Sequence, residues 1–70
     1  MATNVLSEIT GNIWKIEVAE GAQVAEGDLL IIMESMKMEI PVEAPVAGVC
    51  RLLVAEGDAV QEGDAVAIID

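Results

Sequence analysis

Seventy residues, 54% of them hydrophobic with Trp14 the one aromatic, allow a small β-rich core but few side chains to wall a deep pocket. Thirteen acidic residues against three basic ones give a formal charge of −10, a field that nucleic acid and anionic membrane surfaces do not complement. With no His and no Tyr, the commonest general acid–base side chains are missing, so neither a catalytic set nor a metal site is expected.

The start of the chain, Met1 to Thr10, lacks the basic opening and long apolar run of a secretory signal. No apolar stretch approaches the roughly 20 residues that cross a bilayer. Cys50 is the only cysteine, so no internal disulfide can form, and its apolar setting predicts a reduced core residue. A cytoplasmic protein fits these features. The acidity is assigned to solubility, with steering toward a basic partner as a second use.

The first predicted strand alternates Trp14, Ile16 and Val18 with Lys15 and Glu17, the period-2 pattern of one buried face. Two Glu-Gly pairs follow, at Gly21 and Gly27, and read as tight turns on either side of a short strand holding Val24. An apolar run from Leu29 to Met33 then leads into Glu34-Ser35-Met36-Lys37-Met38-Glu39. Beyond it the pattern recurs. Cys50, Leu52 and Val54 alternate, Gly57 and Gly63 bracket Val60, and Ala65 to Ile69 form a second apolar run.

The segment Val18–Asp28 thus returns almost intact as Val54–Asp64, thirty-six positions later. Two all-β halves of one layout predict a flattened barrel-sandwich: two antiparallel sheets of about four short strands each, with an internal pseudo-two-fold, in a single domain over 1–70. The same shift carries Lys15 onto Arg51 and carries position 37 onto the chain ends. The termini are therefore expected together at one end, with Lys37 protruding from the other.

Lys37 is the cation without a mate in the repeat. Strands over Leu29 to Ser35 and Met38 to Val42 leave Met36-Lys37 as a two-residue turn, a place that favours Asn-Gly or a glycine. The register sets Ser35 opposite Met38, and Glu34 opposite Glu39, a like-charge pair that costs stability. Singly, these residues have ordinary explanations: a solvated lysine, methionines filling core gaps, glutamates of an acidic surface. Together, departures from local rules in one short stretch mark a functional site.

The stretch Glu34-Ser35-Met36-Lys37-Met38, then Ile40, then Ala44-Pro45-Val46-Ala47-Gly48 resembles the biotinyl domains of biotin carboxyl carrier proteins and biotin-dependent carboxylases. The Glu-Gly-Asp units match that family's two symmetric halves, so the resemblance spans nearly the whole chain. Met-Lys-Met is its specific part. Ser35 departs from the usual alanine, Glu8-Ile9-Thr10-Gly11 replaces the usual Ala-Pro-Met-x-Gly opening without an expected effect on modification, and there is no room for the protruding thumb of some bacterial carriers.

The resemblance implies that Lys37 receives biotin from a biotin protein ligase, its amine attacking the acyl carbon of biotinyl-adenylate to form an amide. Met36, Met38 and Glu34 would be read by that ligase. A free lysine is mostly an ammonium ion at neutral pH, and this chain offers no evident base, so the ligase must supply catalysis. The carrier would then serve a biotin carboxylase and a carboxyltransferase, keeping biotin concentrated at both sites. A lipoyl carrier ranks second, with lipoate on the same lysine, although lipoyl domains usually place Asp before and Ala after it. An unmodified structural or adaptor module is the third reading.

Overall fold

The computed structural model describes residues 2–70, so Met1 lies outside the described residues. Eight strands follow one another: β1 (Thr3–Leu6), β2 (Gly11–Ile16), β3 (Gln23–Val24), β4 (Leu29–Ser35), β5 (Met38–Glu43), β6 (Gly48–Leu52), β7 (Ala59–Val60) and β8 (Ala65–Ile69). They form two four-stranded antiparallel sheets, ordered β1-β8-β6-β3 and β5-β4-β2-β7. The all-β two-sheet architecture is the one the repeat predicts. Exchanging the halves maps one strand order onto the other, and each half lends its shortest strand to the other half's sheet.

Pairing registers expose one asymmetry. Arg51 faces Ile68 as Lys15 faces Ile32, thirty-six positions apart; but Cys50 faces Ile69 where Ile13, not Trp14, faces Met33. The first half therefore holds one extra residue, Trp14, at a bulge between Ile13 and Lys15. This corrects the predicted alternation: Ile13 is 1% exposed and Trp14 46%. A bulge shifts the inward phase by one residue, which a fixed repeat spacing cannot register. Ile16, Val18, Leu52 and Val54 do pack against the core, partly buried.

Between the sheets lie fully buried Ile13, Leu30, Ile31, Met33, Cys50, Val66 and Ile69. Cys50 is a free thiol, and burial, with Glu20 nearby, pushes its pKa up, which keeps it an inert core group at neutral pH. Val24 and Val60 are buried in β3 and β7, flanked by their turn pairs as expected. Gly21, Gly27, Gly57 and Gly63 all hold φ between 81° and 93°. The first residues of these turns are capped by carboxylates: Asp28 accepts from Ala25 N–H at 2.8 Å, Asp58 from Ala55 N–H and Asp64 from Gln61 N–H at 2.9 Å. In the first turn Ala22 stands where the others have aspartate.

Two further carboxylates tie the halves together. Glu20 accepts from Leu52 N–H at 2.6 Å and, in the symmetry-related place, Glu56 accepts from Ile16 N–H at 3.0 Å. Solubility alone thus understates the acidity, because these five acids satisfy backbone donors.

Alternation predicts no strand before Trp14, yet β1 pairs with β8, setting Thr3 beside Ile69. The two ends of the chain therefore run side by side, in the sheet that does not carry Lys37. Under the exchange of halves this junction is the counterpart of the β4–β5 hairpin.

Candidate functional site

The β4–β5 hairpin is built from its stem upward. Met33 is fully buried, and the buried Ser7 packs its Oγ 3.2 Å from the Met33 sulfur while donating to the Ile9 carbonyl at 2.5 Å. One step further out, Ser35 Oγ donates to the Thr10 carbonyl at 2.9 Å. Gly11 makes this approach possible, since a Cβ there would stand 2.6 Å from the Glu34 carbonyl oxygen. The altered opening segment, Glu8 to Gly11, therefore supports the base of the hairpin directly. The sequence reading missed these supports, whose one visible signal was a glycine opening a strand.

Above the stem, Glu34 pairs with Glu39 and Ser35 with Met38, the register expected from the sequence. Met36 and Lys37 form the turn, at φ 52° and 64°. Positive φ at both central residues is the type I′ signature that suits the twist of a hairpin. A side chain in this region costs about 1–2 kcal/mol relative to the right-handed one. The anchored stem holds two such residues in place.

The site residues are distributed around this protrusion. Met36 is 91% exposed and Met38 62%, so neither fills a gap in the core. Lys37 is exposed, and the ion pair formed among the described residues, Arg51 with Asp70 at 3.3 Å, leaves it out. Period-2 alternation puts Glu34 and Glu39 on the outer face, and Met38 with Ser35 on the opposite one. Met36 and Lys37 thus share the tip, while Glu34 and Met38 flank it from opposite faces. An enzyme reading all four residues must straddle the hairpin.

Of the other cations, Lys15 lies with its ammonium 5.8 Å from the Trp14 ring centroid, within cation–π range. Among the described residues no group of three or more His, Cys, Asp or Glu could hold a metal ion, and no helix is long and apolar enough to cross a membrane. The tip suits covalent loading: a primary amine, clear of ion pairs among the described residues, on a turn stiffened from below.

Known proteins share this layout. A family model described as "Biotin-requiring enzyme", covering biotin and lipoyl attachment, matches residues 2–69. The chain is 49% identical over 70 residues to the "Biotinylated protein TB7.3 homolog" of Mycobacterium leprae, covering 99% of each. It is 45% identical over 58 residues to the "Biotin/lipoyl attachment protein" of Bacillus subtilis, covering 81% of this chain and 80% of that one. Among solved structures, Kluyveromyces lactis urea carboxylase superposes with a TM-score of 0.93 at 42% identity, over all of this chain and 6% of that one.

Proposed function

The chain belongs to the biotin/lipoyl attachment family, and from that membership we propose that residues 1–70 form one carrier domain whose Lys37 holds biotin in amide linkage. The observation that carries this assignment is the exposed Lys37 amine on a two-residue turn at positive φ, above a buried and hydrogen-bonded stem. Lys15 and Arg51 lie mid-strand, facing Ile32 and Ile68, and neither is offered from a protrusion. Biotin is favoured over lipoate by Met38 after the lysine and by the name of the mycobacterial relative.

The work divides accordingly. Biotin, once bound, supplies the capacity to carry a carboxyl group. The chain supplies position: the stem fixes where the amine stands, and Met36, Met38 and Glu34 give a biotin protein ligase surfaces to recognise. The ligase contributes the base that frees the amine, since this chain has no histidine and shows no partnered base at the tip. A biotin carboxylase and a carboxyltransferase are the partners that use the loaded domain, in a cytoplasmic setting. Because this chain corresponds to 6% of the urea carboxylase, that enzyme's substrate is not carried over. Catalysis resides in the partners and not in the carrier.

Intact mass after incubation with a biotin protein ligase, ATP and biotin tests the assignment. A single biotin adduct is expected on the wild type and none on Lys37→Arg. An adduct that survives Lys37→Arg, or a wild type that stays unmodified, overturns it. Met36→Ala and Met38→Ala are expected to lower the initial labelling rate with little change in melting temperature, because both side chains are exposed. A parallel fall in both measurements would make them packing residues instead.

A further inference from the structure

Two of the departures from the internal symmetry fall in one sheet. One is the Met36-Lys37 turn; the other is Trp14, the extra residue of β2, which neighbours β4. Lys15, Ile32 and Pro41 form one cross-strand row over β2, β4 and β5. They share the outer face, because adjacent Met33 points into the core. The Lys15 ammonium lies over the Trp14 ring, which puts the indole on that face too. In the symmetry-related row of the other sheet, Arg51, Ile68 and Asn4, there is no aromatic residue and asparagine replaces proline. In this row the sheet that bears the lysine therefore displays an indole and a proline ring that its twin's row lacks, although the twin exposes Leu6 and Val49 elsewhere.

We propose that this Trp14–Ile32–Pro41 face is a docking surface for the enzyme that acylates Lys37, which meets it with an apolar recess bordered by cationic side chains. The proposal rests on Lys37 being the acylated residue. Charge and reach select the occupant. Between patch and tip lies the row Asn12, Glu34, Glu39, so a partner covering both must put positive charge opposite two adjacent carboxylates. At about 3.3 Å per residue, Ile32 stands roughly 17 Å along the strand from Lys37. A specific interface buries about 800 Å² on each partner, wide enough to reach from tip to patch. An enzyme that forms a bond to the lysine nitrogen itself must close on the hairpin to this extent. An enzyme that meets only the far end of a group already attached there has no such requirement. Tryptophan is also one of the side chains enriched among the residues that dominate interfaces.

Ligase kinetics with the 70-residue chain as the varied substrate test this. Trp14→Ala is expected to raise KM for the chain at least about fivefold, a typical penalty for losing an interface tryptophan, with kcat held within about twofold. Trp14→Phe should recover much of the loss, and added salt should raise the wild-type KM, as screening of the glutamate row requires. Pro41→Ala, on the opposite edge of the patch, should raise KM in the same sense without touching β2. Leu53→Ala, another half-exposed apolar side chain outside the patch, should leave both constants unchanged. The proposal is overturned if KM stays at the wild-type value in both Trp14→Ala and Pro41→Ala, or if Leu53→Ala raises it equally. It is also overturned if the Trp14 defect emerges only in carboxyl transfer by chain that is already biotinylated. An unlabelled wild type would remove the Lys37 assignment and this proposal together, whereas normal labelling of every variant removes the docking face alone.

Discussion

The chain reverses direction tightly in two different ways. At Gly21, Gly27, Gly57 and Gly63 it uses the residue that tolerates positive φ, and three of these four turns add an aspartate cap. At Met36-Lys37 it holds two ordinary side chains at positive φ, with no glycine and two glutamates facing one another just below. The first kind obeys local chemistry and secures the frame around Val24 and Val60. The second departs from it and is held by contacts from elsewhere: Met33 in the core, Ser35 on the Thr10 carbonyl, Gly11 beneath Glu34. Stability and display are thus assigned to separate turns, and the frame supports the strained one.

The most damaging way to probe that contrast is to empty the frame. Val24→Ala or Val60→Ala should lower unfolding free energy by about 1–3 kcal/mol, through lost burial and the cavity left behind; a denaturant midpoint unmoved by either would mean the paired turns do not anchor the core. Next comes an exchange of turn chemistry. Gly27→Ala meets no atom within 4 Å, so its expected loss of about 1–2 kcal/mol is conformational. Met36→Gly should act in the opposite direction, gaining up to about 1 kcal/mol from relief at φ 52° less the entropy of a freer unfolded chain, while lowering the labelling rate. Calorimetry that finds Met36→Gly destabilised would show that the tip is not strained. The smallest effect is expected at the uncapped turn, where Ala22→Asp supplies the missing acceptor and should add about 0.5 kcal/mol; an unchanged melting temperature would deny the other three caps their role.

Much of this was legible from residue order. Glycine spacing and apolar alternation gave the strands from Ile16 onward, and the hairpin register followed from Ser35 and Met38 flanking two residues. Trp14 was misplaced because a bulge changes which residues point inward without altering composition. β1 escaped because four residues containing one buried valine, Val5, carry too little periodicity. The stem supports were hidden for a different reason: Ser7 to Met33, Thr10 to Ser35 and Gly11 to Glu34 are contacts between distant segments, and nothing in either segment alone requires its partner.

Because each half donates an edge strand to the opposite sheet, neither repeat is expected to fold without the other. Cleavage of the exposed Pro45–Ala47 connection should leave two fragments clasped like linked fingers, released only when both lose order at once. Amide exchange in such a nicked protein would then report one opening event for β3 and β7 alike. A load applied at Lys37 would accordingly be shared by both halves, because β7 of the second half pairs with β2 in the sheet that carries the hairpin.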